Sequence, residues 1–236
     1  MLEDEFRDTV AIVTGASSGI GAATAEMLVA RGARVVISAR SVDELERLAR
    51  RDPDRMYVVS GDVSDPATIE GLFAETERRF GPCEILVNNA GMIDAAPLVD
   101  TTVEQWDRMF AVNVRGVYLA SRRALPSMLA RRRGAIVNVA SISGVPGPEK
   151  FPGWVSYCAS KAAVIAFTEA LAVEIKAQGV RVNCVSPGSV DTDMWSKASG
   201  GAPASMTAAE VAETILFLAS VRSRPMNGQN LDIYSA

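Results

Sequence analysis

Tyr157 and Lys161, in the run Tyr157-Cys-Ala-Ser-Lys161, are the residues of this chain whose types and spacing point most directly to chemistry. The stretch that follows, Ala162–Leu171, has helical periodicity, so a four-residue offset puts both side chains on one helix face, one turn apart. A tyrosine hydroxyl with an ordinary pKa near ~10 moves protons poorly at neutral pH. An ammonium about 4 Å away, at an effective dielectric of roughly 20, supplies on the order of 4 kcal/mol, or roughly 3 pKa units. The pair is therefore expected to work as a general acid/base, with Lys161 drawing the Tyr157 phenol down into range. An isolated Y-x-x-x-K also describes a surface lysine beside a packed tyrosine, so the rest of the chain must decide.

Composition narrows the choice. Histidine is absent, which excludes Ser-His-Asp hydrolysis and most transition-metal sites, so no metal is expected. Cys83, Cys158 and Cys184 are scattered with no C-x-x-C, which suits neither a disulfide framework nor a zinc site and fits a reducing cytoplasm. The net charge of −4 gives no basic field for nucleic acid, and Arg131-Arg132-Arg133 before Gly134 reads as a helix C-terminus. Met1-Leu-Glu-Asp-Glu-Phe lacks the order of a secretion signal, and no uninterrupted apolar run reaches membrane-spanning length.

The elements that must position the pair follow from periodicity. Short apolar runs at 10–14, 34–39, 56–60, 84–88, 135–140, 180–185 and 230–234 alternate with helical patterns, the longest over 103–131 and 156–177. Ser41…Glu44, Thr102…Gln105 and Thr207…Glu210 fit capping boxes, Asp65-Pro66 is an acidic N-cap before an N1 proline, and Gly32 and Gly81 mark helix stops. The expectation is an α/β protein, a single-domain doubly wound Rossmann-type fold over 1–236 with a seven-stranded parallel sheet flanked by helices on both faces. Residues from about 8 to 140 form its cofactor half and 141–236 its catalytic half. A short, mobile lid is expected at about 193–206, where Gly200, Gly201 and Pro203 cluster.

Thr14-Gly15-Ala-Ser17-Ser18-Gly19-Ile20-Gly21 follows the first strand and opens the first helix, a turn suited to a pyrophosphate on the positive helix end. Its spacing is G-x-x-x-G-x-G rather than G-x-G-x-x-G. At the end of the second strand, where NAD binders place an acid, stand Ala39, Arg40 and Ser41. A guanidinium suits a 2′-phosphate, so NADP(H) is expected over NAD(H), which stays possible; otherwise Arg40 faces solvent with Asp43 or Glu44 as partner.

With these residues in hand, the chain resembles the short-chain dehydrogenase/reductase family in its compact single-domain branch, from about residue 8 to its end. The resemblance rests on T14-G-A-S-S-G-I-G21, D62-V63, N88-N-A-G91, Asn113 in F110-A-V-N-V, Ser141 in I136-V-N-V-A-S, Y157-C-A-S-K161 and P187-G-S-V-D-T192. It implies that Asp62 accepts from the adenine amino group with Val63 against the ring, and that Asn89, Ala90 and Gly91 line the ribose region. It further implies that Asn113 holds a water in a proton relay from Lys161, and that Ser141, with Ser143 as its rival, orients the substrate carbonyl. Tyr157 would be the acid/base, Lys161 would bind the ribose hydroxyls, and Pro187, Gly188, Val190 and Thr192 would secure the nicotinamide.

Two departures bear on the substrate. Ser141 and Tyr157 are sixteen positions apart, a few more than usual in the family, with the extra residues expected in 146–154. The segment from 192 to 207 is also short for the family's lid. Met92, Ile93, Val145, Phe151, Trp154, Met194 and Trp195 are the candidate lining, with Glu149, Lys150 and Lys197 at the rim, which favours a ketone or secondary alcohol of modest polarity. The resemblance also implies a homo-oligomer, a dimer or tetramer, through the two long helices. The alternative function is a catalytically silent NAD(P)-sensing protein on the same fold. An extended-branch epimerase or dehydratase would need a larger C-terminal domain.

Overall fold

The apolar runs become strands because each carries side chains to cover both faces of a sheet. The computed structural model describes residues 4–234. In chain order the elements are β1 (Val10–Thr14), α1 (Gly19–Ala30), β2 (Arg34–Ser38), α2 (Val42–Ala49), β3 (Met56–Val58), α3 (Pro66–Arg79), β4 (Ile85–Asn88) and α4 (Val103–Phe110). They continue with α5 (Gly116–Ala130), β5 (Gly134–Val139), α6 (Val155–Glu174), β6 (Val180–Pro187), α7 (Asp193–Ala198), α8 (Ala208–Ala219) and β7 (Asn230–Ile233). The strands form one sheet in the order β3-β2-β1-β4-β5-β6-β7, every neighbouring pair parallel. The winding reverses between β1 and β4, and the crevice beyond their C-terminal ends is where such sheets bind ligands.

Alternation along the strands builds two cores. Ala11 and Val13 of β1 face one layer, where Leu28, Leu45, Val211, Ile215 and Leu216 of α1, α2 and α8 cover them. Ile12 faces the other, against Ile69, Leu72, Phe73, Met128 and Leu171 of α3, α5 and α6. This is the doubly wound, seven-stranded architecture expected, with strand ends shifted by one or two residues.

The caps hold with one exception. Thr102 and Thr207 form complete capping boxes, and Asp65 accepts from Ala67 N and Thr68 N. Gly32 and Gly81 stop α1 and α3 at φ +92° and +99°. Ser41 makes no cap hydrogen bond, and the Glu44 carboxylate accepts from Arg47 at 3.1 Å instead of closing the box. The C-terminal end of α8 is closed from outside: Arg181 donates to Leu218 O, Ala219 O and Ser220 O, where a cation suits the helix dipole.

The pattern over 103–131 is not one α-helix. A π-helical segment, Ala111–Arg115, separates α4 from α5 and holds Asn113 at its centre. By length and composition α6 is apolar enough to cross a membrane, but its Val164, Thr168, Leu171 and Ala172 are buried against the sheet side.

A buried polar ladder locks α6 to the strands. Asn88 donates to Asn138 Oδ1 (2.8 Å) and Ser121 Oγ (3.1 Å), and Asn138 donates to Thr168 Oγ1 (2.8 Å), which donates to Val164 O. Asn138→Ala leaves Asn88 and Thr168 short of partners in the dry interior, where each orphaned group costs about 1–3 kcal/mol. Its urea unfolding free energy is therefore expected to drop by roughly 2–4 kcal/mol; an unchanged midpoint would contradict the ladder's role.

Candidate active site

The site begins at the turn between β1 and α1. A side chain on Gly15 would meet Ala90 Cα at 2.6 Å, and one on Gly21 would collide with Gly15 O and Asn89 Nδ2, so the turn admits only glycine at both places. Asn89 donates its side-chain amide to Thr14 O and Gly15 O (3.0 Å each), while Thr14 Oγ1 accepts from Asn89 N and Ala90 N. The Asn89 amide thus fastens the ends of β1 and β4 together. Ser18, at the N-cap of α1, makes no cap hydrogen bond, and no acid occupies that helix's first turn. Uncapped N–H groups above a cradle that a Cβ would fill fit the pyrophosphate of a dinucleotide.

The end of the cleft at Asp62, where an adenosine is expected, is polar. Asp62 Oδ1 accepts from Ser64 N (2.9 Å) and Ser64 Oγ (2.7 Å), and among the described residues Oδ2 has no partner. Burial works against the Asp62 charge, but the Ser64 hydrogen bonds and the fields of Arg40 and Arg115 outweigh it and hold the carboxyl below its usual range. Arg40 and Ser41 are exposed beside it on the cleft wall. Among the described residues Arg40 has no carboxylate at ion-pair distance, neither Asp43 nor Glu44.

α6 carries Tyr157 and Lys161 on one face. Both are buried, one turn apart, and Ser141 stands at the C-terminal end of β5. Lys161 Nζ donates to Val139 O (2.9 Å) and lies 5.7 Å from the centre of the Tyr157 ring. The expected electrostatics are reversed in sign. Burial pushes Tyr157 up to about 12, opposed by the neighbouring Ser141 hydroxyl, and pushes Lys161 down to about 8. The fall expected from the lysine field is not seen: burial is the largest cause at Tyr157, and the Ser141 hydroxyl is the group that opposes it. The Ser141 hydroxyl itself accepts from Ser143 N at 3.1 Å.

Asn113 lies behind the cleft wall. Its Oδ1 accepts from Met92 N (2.8 Å), and its amide donates to Met92 O and Ser160 Oγ (2.9 Å each). Both amide protons are used, so a relay water could only donate to the remaining lone pair of Oδ1. Gly91 leaves room there: a Cβ on it would stand 3.3 Å from Lys161 Nζ and 3.4 Å from Asn113 Oδ1.

One continuous cleft of about 540 Å³ joins these parts. Its wall includes Gly15, Ser17, Ser18, Gly19, Ile20, Arg40, Ser41, Asp62, Val63, Asn89, Ala90, Gly91, Ser141, Tyr157, Lys161, Pro187, Gly188, Val190 and Thr192. Of the site residues named from sequence, only Gly21 and Asn113 stand behind it. At the far end Met92, Ile93, Glu149, Phe151, Trp154, Met194 and Trp195 line it as expected, but Val145, Lys150 and Lys197 do not. Lys150 folds back onto Ile142 O and Val145 O of its own loop. Tyr234, Ser189 and Ser205 were not anticipated. Ser189 and Ser205 hydrogen-bond to each other beside the Val190–Met206 bridge that closes the base of the lid. Tyr234 follows β7, and its position at a strand's C-terminal end was the signal that could have found it.

The chain matches the short chain dehydrogenase family model over residues 9–202. It is 39% identical to 2-(R)-hydroxypropyl-CoM dehydrogenase of Xanthobacter autotrophicus, covering 94% of this chain and 95% of that one. It is 40% identical to cis-4-hydroxycyclohexanecarboxylate dehydrogenase of Sinomonas cyclohexanicum, over 92% and 91%. The crystal structure of levodione reductase superposes with a TM-score of 0.89 at 29% identity, covering 97% and 96%. The chain belongs to the short-chain dehydrogenase/reductase family, whose members are NAD(P)-dependent oxidoreductases acting on CH–OH and C=O groups.

Proposed function

We infer that this enzyme is an NADP(H)-dependent oxidoreductase that interconverts a small-molecule ketone and its secondary alcohol, with Tyr157 as acid/base. The observation that carries the reading is the juxtaposition of Tyr157, Lys161 and Ser141 in the same cleft as the glycine cradle. The hydride chemistry belongs to the coenzyme, and the protein positions it. Ser141 would orient the carbonyl oxygen toward the Tyr157 hydroxyl. Lys161 spends one of its three donors on Val139 O, leaving two for the ribose hydroxyls. Asn113 would position Met92 and a relay water behind Lys161. Residues from about 8 to 140 would form the cofactor half and about 141–236 the catalytic and substrate half, within one domain. A coenzyme-linked absorbance screen over ketones and secondary alcohols tests the reading; no turnover by a chain that binds coenzyme would overturn it.

Coenzyme preference rests on Arg40 and Ser41, whose side chains have no hydrogen-bond or ion-pair partner among the described residues at the adenosine end. A 2′-phosphate placed there gains a charge-assisted hydrogen bond of roughly 1.5–3 kcal/mol. kcat/KM is therefore expected to favour NADP(H) by about tenfold or more, and Arg40→Leu to erase most of that margin. A wild-type preference for NAD(H) would defeat the assignment.

Association through α6 is supported by its outer face. Ala162, Ala166 and Ala170 lie exposed along one stripe, and Val173 is 74% exposed, more apolar surface than a solvated helix needs. A dimer or tetramer is expected by sedimentation at micromolar concentration, and a monomer would contradict it. Three free thiols, Cys83 and Cys184 buried among them, suit a reducing compartment such as the cytoplasm.

A further inference from the structure

We propose that the substrate end of the cleft selects a ring-bearing, uncharged or cationic substrate and rejects anionic ones, with Glu149 as the discriminating residue. The inference rests on the reading that this cleft seats the substrate beside Tyr157.

The far wall is aromatic and incompletely covered. Trp154 meets the Tyr157 ring edge-on at 5.6 Å and Phe151 at 4.7 Å, and Trp195 reaches both Phe151 (6.0 Å) and Trp154 (6.4 Å). Trp195 is held by its indole N–H on Ala202 O, so the lid and the 146–154 loop meet through fixed rings. Phe151 remains 48% exposed and Met194 41%, apolar area in the cleft that a substrate ring would cover.

Charge on that wall has one sign. Apart from Arg40 and Asp62 at the adenosine end and Lys161 behind Tyr157, Glu149 is the one charged residue lining the cleft among those described. Among the described residues, the other cations near that wall are directed elsewhere or absent from the lining, and the remaining donors of Lys161 are those proposed for the ribose. Lys150 is bound to Ile142 O and Val145 O, Arg108 is paired with Asp94, and Lys197 lies off the wall. Among the described residues Glu149 itself has no ion-pair partner. A carboxylate, sulfonate or phosphate substituent would thus meet a like charge with no counter-ion, whereas an ammonium would find Glu149 together with aromatic faces.

Three planar probes of one shape, benzamide, benzoate and benzamidinium, test this without any reaction when titrated with saturating oxidised coenzyme present, so that the free donors of Lys161 are already engaged. The readout is fluorescence quenching in a Trp106→Phe background, which leaves Trp154 and Trp195 as the reporters in the full chain. Benzamide and benzamidinium are expected to bind at least about tenfold more tightly than benzoate. Glu149→Gln should bring benzoate to within about threefold of benzamide and weaken benzamidinium. Benzoate binding as tightly as benzamide, an unchanged ratio in Glu149→Gln, or no saturable quenching by any probe would each overturn the proposal. No probe is reduced, so failure here is separate from failure of Tyr157 as the acid/base, which turnover reports.

Discussion

Tyr157→Phe is expected to lower kcat by roughly 10²–10⁴ while leaving coenzyme affinity within a few-fold of wild type. The substitution removes one oxygen and keeps the ring, which is fixed by Trp154 at its edge, Met109 in the same apolar cluster and the Lys161 ammonium 5.7 Å from its centre. The glycine turn and Lys161 are untouched, so binding and chemistry separate. Direction of reaction sharpens the expectation. With the hydroxyl pushed up to about 12, it stays protonated at neutral pH and is ready to donate in the reduction direction. Oxidation needs the ionised form, so its rate should climb nearly tenfold per pH unit from neutral into the alkaline range, while the reduction rate stays flat. Initial rates in both directions, with coenzyme dissociation constants measured separately, check both statements. A Phe variant within tenfold of wild-type kcat, or an oxidation rate indifferent to pH, would remove Tyr157 from the role.

Much of the arrangement could be read from residue types because its causes are local. Val10–Thr14 is buried on both faces, and such a run is apolar at every position but its polar end, so strand and sheet type were visible together. The offset of Tyr157 and Lys161 placed them on one face of α6 for the same reason. What stayed hidden depends on contacts made at a distance. The π-helical turn around Asn113 has no composition cue: its amide is claimed by Met92 and Ser160, twenty-one and forty-seven residues away. The Ser41 box fits its sequence rule, yet Glu44 has a second partner in Arg47 on the same helix face. Residue spacing speaks only for the Tyr157–Lys161 pair, whereas burial, a property of the whole fold, decides the direction in which Tyr157 moves. Lys150 looked like a rim charge until its own loop supplied two carbonyls for it.

That same burial makes Lys161 a residue the fold would be more stable without. At pH 7 the enzyme holds an ammonium at 4% exposure with Val139 O as its hydrogen-bond acceptor and, among the described residues, no carboxylate at ion-pair distance. Its folded pKa of about 8 lies below the ordinary 10.5. Between those values the unfolded chain binds more protons than the native one, so this group raises stability as pH climbs through that window. Below about 8 the whole penalty is present, on the order of 3 kcal/mol. Tyr157 works in the opposite sense: its folded pKa is raised, so its contribution is full below about 10 and is lost as pH rises through about 12. Lys161→Met fills similar space without charge and gives up one hydrogen bond worth about 1 kcal/mol. The variant is expected to unfold at higher urea than wild type at pH 7, by roughly 2 kcal/mol, with the gap closing toward pH 10.5 as the wild-type lysine sheds its proton in both states. Turnover should fall alongside, by about 10² or more, because the donors meant for the ribose are gone. Stability rising while activity collapses is the signature of a charge kept for chemistry at the expense of the fold. A Met variant less stable than wild type at pH 7 would show that Lys161 is instead a structural brace between α6 and β5.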